Sequence, residues 1–364
     1  MKSKLFILMV LLSITLVFLT GCGFKEKSQK PKPEEQIQTQ TDLSSQERKE
    51  EIASLEEKYE IESSTENQIF ENNYEASSPF TGLPTKEEYY NRAVAVAIEN
   101  SPAARPQTGL DEAAVVYEFM LEGGITRFLA IYWPEIPVKI GPIRSARPAL
   151  IEIARSYDAL FLHAGASPDG FQLLADSKLL NLDQLYKSKY FWRSSKRKAP
   201  HNLYSGQKPL AEYIANLTEK EYPKQFNFIT ASIINDFKEA QNIKIDYWGA
   251  YDVLYKYQSL KNNYLRFIKS DNNPHLSENG KQLTAKNIIV QYVNTSTKDD
   301  QGRQDIDLSS GGEIKLFRDG IVINGSWEKR NNKIVYLNSK NQKLGINPGQ
   351  TWIQIVAKKT KVSY

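Results

Sequence analysis

The sequence predicts an α/β (α+β) N-terminal domain, residues 79–225, followed by a mostly β C-terminal domain, residues 226–364. Three observations predict it. From Arg92 to about Tyr222, short apolar runs of strand length alternate with segments of helical period. From about Phe226 onward, strand runs follow one another, with turn residues between some of them. The 286 residues from 79 to 364 are also more than a single core of ordinary size holds.

Each element follows from local pattern. Arg92–Glu99 is an apolar strand. Ala114–Leu121 is a second, and Gly123-Gly124 turns it into Ile125–Trp133 as a hairpin. Pro148–Tyr157 reads as a helix, with Pro148 at the first position, where a missing N–H costs nothing. Ala159–His163 is a short buried strand. Phe171–Leu174 begins another helix, with Ser167 as the expected N-cap. Asn287–Val293, Gly312–Phe317, Asn332–Leu337 and Thr351–Ala357 read as strands, with turns at Asp319-Gly320 and Asn324-Gly325.

Two segments precede these domains. Residues 1–21 open with Lys2 and Lys4 and continue through an apolar run, Leu5–Leu19, broken only by Ser13 and Thr15. The run has the length of a signal-peptide core and is short of the ~20 residues a spanning helix needs. Leu19-Thr20-Gly21-Cys22 then resembles the lipobox of bacterial lipoproteins. That resemblance implies cleavage before Cys22 and a diacylglyceryl group on its sulfur. The expected location is the extracytoplasmic face of the cell membrane, with Cys22 as the lipid anchor. Residues 22–78 read as a tether of Lys, Glu, Gln, Ser, Asn and Pro with too few apolar residues for a core. Within it, Ser45–Ile61 could form a short charged helix from the spacing of Ile52, Leu55 and Tyr59.

Charge separates the parts. Residues 23–78 hold 7 basic and 14 acidic residues, whereas 79–364 hold 38 basic and 29 acidic. A basic ectodomain outside a membrane suggests anionic partners: lipid headgroups, a wall polymer or an acidic protein. Nucleic acid fits the charge but not the compartment. Cys22 is the sole cysteine, which excludes a disulfide and a thiolate metal site. The three histidines, His163, His201 and His275, lack metal-ligand spacing, so no metal and no cofactor is expected.

Two junctions carry candidate chemistry. Gly141 to Pro148 places Arg144, Ser145 and Arg147 beside a helix N-terminus, where guanidinium forks, N–H groups and the helix dipole favour an anion. His163 to Gly170 ends a strand and starts a helix, with His163, Ser167 and Asp169 at the junction. If both strands share a parallel sheet, both junctions face one crevice. The bland alternative is surface ion pairs and a packed histidine. Glu118, inside an apolar strand, calls for a cation, with Arg127, Arg144 or Arg147 as candidates. Lys187 to Asn202 interleaves cations with Tyr190, Phe191 and Trp192 and ends in His201 and Asn202, a pattern suited to an anionic polymer or a membrane interface. Arg266, His275, Trp327 and Trp352 either line a groove or belong to the core. No nucleophile elbow, phosphate-binding loop or metalloprotease motif is present.

These residues carry a resemblance. Ile98 to Pro102, Arg105-Pro106-Gln107, Tyr117 to Arg127, Gly141 to Pro148, Ala199 to Tyr204, Gly325-Ser326-Trp327 and Pro348 to Ile353 resemble the YerB-like bacterial lipoproteins. The resemblance covers about 79–364 and implies a membrane-anchored, two-domain extracytoplasmic protein, with no activity attached. Besides an interaction scaffold working mainly through the β domain, two functions remain open from the sequence. One is a non-catalytic envelope module binding a protein or an anionic wall component. The other is an enzyme acting on a phosphorylated glycan or lipid, with Arg144 and Arg147 clamping the anion and His163 or Glu118 moving a proton. A faint likeness to the LytR-CpsA-Psr glycopolymer transferases points to the second, but their Mg²⁺-binding acids have no match here.

Overall fold

The computed structural model describes residues 76–85, 92–218, 222, 224–229, 238–268 and 273–364. The lipobox, Cys22, the Ser45–Ile61 helix and the tether up to residue 75 lie outside the described residues. Among the described residues the chain is mostly strand. The strands that matter here are β1 (Val94–Glu99), β2 (Val115–Glu122), β3 (Ile125–Tyr132), β4 (Leu160–His163) and β5 (Asn181–Asp183), followed by β6 (Lys238–Glu239), β7 (Asn242–Ile245), β8 (Val253–Gln258) and β9 (Asn263–Ile268). The last are β10 (Asn287–Val293), β11 (Gly312–Arg318), β12 (Ile321–Arg330), β13 (Lys333–Leu337) and β14 (Thr351–Ala357). The helices are α1 (Pro148–Ser156), α2 (Pro168–Ser177) and α3 (Gln207–Ala215). No described helix is long and apolar enough to cross a membrane.

An 11-stranded mixed sheet runs in the order β6-β12-β11-β10-β14-β2-β3-β1-β4-β5, with β13 added to β12. The two expected domains therefore share one sheet. The joint is β14, which pairs in parallel with β10 on one side and with β2 on the other. All seven β14 residues are buried, as a strand covered on both faces requires. On one face Ile353 and Ile355 join Leu150 and Ile153 of α1 and Leu174 of α2. On the other, Trp352 and Val356 join Leu210 of α3 and Ile243, Val253 and Tyr255 of a smaller antiparallel sheet built on β7, β8 and β9. The result is three layers with the large sheet in the middle.

One turn expectation is corrected. Asn324-Gly325 lies inside β12, and the reversal comes at Asn331-Asn332, both with positive φ, as a two-residue hairpin turn demands. Gly325 serves close approach instead: a Cβ there would lie 2.3 Å from the Leu337 carbonyl oxygen. Asp319-Gly320 is a turn, with φ of +54° and +72°.

β1, β4 and β5 are mutually parallel, so their C-terminal ends share one edge with the β2–β3 hairpin turn. The segment 141–147 crosses that edge. Arg144 donates its N–H to Ala97 O (2.9 Å), Ala164 donates to Arg144 O (3.1 Å), and Ala146 donates to Gly165 O (2.9 Å).

Candidate anion-binding site

The first junction gathers three arginines. Glu99 closes β1 directly opposite Arg127 of β3. Arg144 Nε lies 3.3 Å from Glu99 Oε2. Arg127 lies 3.7 Å from Glu122 Oε2, and Arg147 pairs with the other Glu122 oxygen. Arg127 also donates to the carbonyl oxygen of Ser145 (2.6 Å), so Ser145 contributes its backbone. Three guanidinium groups thus share two carboxylates. Burial, together with the neighbouring Arg147 and Arg144, pulls Arg127 down to about 10, which leaves it charged at neutral pH. The Arg144 side chain keeps 29% of its surface open to solvent. Beside it α1 begins with Pro148 and no side-chain cap, so its N-terminal dipole is not neutralised by a capping group.

His201 reaches this cluster from the loop 194–202. Its Nδ1 is 2.8 Å from Glu99 Oε1, which also accepts from Ser101 Oγ (2.6 Å). Asn202 braces that loop: it donates to the carbonyl oxygens of Ser194 (3.0 Å) and Arg197 (3.2 Å) and accepts from Arg193 (2.9 Å).

The second junction adjoins the first through the pairing of Ala146 with Ala166, but its helix start is occupied. Ser167 caps α2 by accepting from the Gly170 N–H (3.3 Å). Asp169 supplies the anion in the first turn and meets Lys298 Nζ at 2.6 Å. Burial pushes the Asp169 carboxyl up, but hydrogen bonds from Lys298 and Ser167 outweigh it and hold it at about 2. His163 is fully buried. Its Nδ1 is 2.9 Å from Gly165 O, its Nε2 is 3.3 Å from Asn181 Oδ1, and its ring stacks on Phe161. It is a packed core residue with no access to a ligand in solution.

Glu118 does not join the arginines named for it in the sequence. Its partner is Arg266 of β9, whose Nη2 lies 2.7 Å from Glu118 Oε2 with both side chains fully buried. Asn100 Nδ2 (3.1 Å) and Thr126 Oγ1 (2.8 Å) donate to the other Glu118 oxygen. Arg266 also donates to Tyr255 OH, lies 4.5 Å over the Trp352 ring, and donates from Nε to His275 Nδ1 (3.0 Å). Burial opposes the Arg266 charge, but Glu118 and Tyr255 raise its pKa overall. Arg266, His275 and Trp352 therefore form an interior network, not a groove, and Trp327 is core as well.

The network fixes the His275 tautomer: Nδ1 accepts from Arg266, so Nε2–H donates to Gln107 Oε1 (2.8 Å). Burial, then Arg266 and Arg105, hold its pKa well below the ordinary 6.5. Below about pH 6.5 the unfolded chain takes up a proton that the native state refuses. This contribution to stability is complete above that pH and falls as the pH drops, by about 1.4 kcal/mol per unit. Urea unfolding of wild type and His275→Gln between about pH 6.5 and 5.5 checks it. The wild type should lose about 1 kcal/mol more than the variant over that range, and equal slopes would refute the assignment.

Comparison with known proteins agrees with this architecture. Residues 80–221 match the N-terminal domain, and residues 243–353 the C-terminal domain, of a protein family of unknown function, DUF3048. The chain is 35% identical over 293 residues to the Bacillus subtilis protein named "Putative lipoprotein YerB", covering 77% of this chain and 86% of the relative. The crystal structure of YerB from Bacillus subtilis superposes with a TM-score of 0.71 at 33% identity, covering 80% of this chain and all of that one. The chain belongs to the DUF3048 family, a two-domain family of unknown function.

Proposed function

We propose that this protein is a lipid-anchored envelope module, held through Cys22 on the extracytoplasmic face of the cell membrane, that captures an anionic group without turning it over. The ligand class is a phosphate or carboxylate on a wall polymer or a protein. The observation that carries the reading is the excess of guanidinium over carboxylate at the edge of the sheet, with Arg144 open to solvent beside an uncapped helix. The lipobox and the lipoprotein name of the relative support the anchor.

The enzymatic alternative draws on Ser101, His201 and Glu99. Its geometry is unfavourable, because Ser101 Oγ (3.4 Å) and Glu99 (2.8 Å) face the same imidazole nitrogen. A histidine that activates a serine needs the hydroxyl and the carboxylate on opposite nitrogens. Glu118 and His163, the proton carriers considered from the sequence, are sealed in the interior.

Thermal unfolding of residues 23–364 with inorganic pyrophosphate, teichoic-acid fragments and muropeptides tests the capture reading. A ligand at about 100 times its Kd stabilises the wild type by about 2.7 kcal/mol, and Arg144→Ala/Arg147→Ala removes the shift. No shift with any of them, or a shift that survives the double substitution, sinks the arginine site.

A further inference from the structure

The segment after β5 is a second surface that the arginine cluster does not explain. Between Asp183 and Glu212 the chain has no acidic residue and carries seven Lys or Arg. Arg193 and Arg197 hold the loop in shape: Arg193 bonds Asn202, and Arg197 donates to the carbonyl oxygen of Pro106 (2.5 Å). Lys187, Lys189, Lys196 and Lys198 remain exposed. Interleaved with them, Leu185 is 61% and Tyr186 77% exposed, and Trp192 projects partly from a short hairpin while stacking on Tyr204. Neither Leu185 nor Tyr186 gains from this exposure in water.

We infer that the 185–198 surface docks on an anionic lipid bilayer, with Leu185, Tyr186 and the edge of Trp192 entering the interface and the four lysines meeting headgroup phosphates. Charge complementarity selects an anionic surface, since each lysine near such a membrane is attracted and no carboxylate in the segment repels it. The exposed apolar residues select a bilayer over a soluble polyanion, because a polymer of phosphates and sugars has no apolar phase to receive Leu185. Tyrosine and tryptophan suit the headgroup level, where the ring is buried and its polar atom stays wet. Lysine stems can lie along the apolar rim while their ammonium groups reach phosphate. The role is orientation: a chain anchored by one terminus gains a fixed pose when its folded part makes a second membrane contact. This inference is independent of what the arginine cluster binds.

Co-sedimentation of residues 23–364, which lack the lipid-bearing cysteine, with vesicles tests it. Vesicles of phosphatidylglycerol mixed with phosphatidylcholine should capture the chain, pure phosphatidylcholine should not, and raising salt from about 0.1 M to about 1 M should release it. Leu185→Ser/Tyr186→Ser, with an unchanged thermal midpoint because both side chains are exposed, should weaken capture about tenfold or more. Arg144→Ala/Arg147→Ala should leave capture by vesicles intact. Absence of binding to the anionic vesicles overturns the inference. So does binding that depends on the lysines but ignores Leu185 and Tyr186, which would assign the surface to a soluble polyanion.

Discussion

Arg266→Met should destabilise the folded chain by about 3–5 kcal/mol, the cost of leaving a buried carboxylate without its cation. Glu118 would keep Asn100 and Thr126 as donors but lose the charge that balances it. The same substitution removes the donor to His275 Nδ1 and the cation over Trp352. Arg266→Met combined with Glu118→Gln should recover much of the loss, since the second change discharges the stranded partner. Urea unfolding of the two single variants and the double variant measures the coupling directly. A single-variant loss below about 1 kcal/mol would mean that water or relaxation already screens the pair.

A chain ending at residue 225 should not fold cooperatively, although it contains the whole of the matched N-terminal family domain. It loses β14, and with it the only parallel neighbour of β2 among the described residues. Val115–Leu121 would then be an open apolar edge, the kind of strand that recruits other chains. Glu118 would lose Arg266, and Gln107 would lose His275. The expected signature is aggregation or a broad, non-cooperative thermal transition. A sharp transition with dispersed amide resonances would show that the N-terminal half is self-sufficient.

Local features of this fold were legible in the sequence, and non-local ones were not. The hairpin at Gly123-Gly124, Pro148 at the start of α1 and the Ser167 cap are decided by neighbouring residues, and the chain displays them. Thr351–Ala357 reads as a strand because every residue from Trp352 to Val356 suits one except Gln354. Nothing local says that it pairs with residues 115–119, and so the shared sheet was invisible. Glu118 announced itself as a charge in an apolar strand, but its partner is 148 residues away, and three nearer arginines were equally plausible. The signal that could have found it is Arg266 itself, on the same face of its strand as the buried Tyr264. At the candidate site, Arg144 and Arg147 followed from their loop. Glu99 and Ser101 were missed as members, because Glu99 ends an apolar strand and its role depends on where 141–147 and 194–202 cross.

The position of β14 also bears on how the protein is made. The strand at the middle of the large sheet follows every other strand of that sheet in chain order. Until it arrives, β2 and β10 have no common neighbour, and the sheet exists only as two unjoined pieces. Such long-range closure is slow compared with hairpin formation. The large sheet therefore closes only once its last strand in chain order has been made, and hairpins formed earlier wait for it.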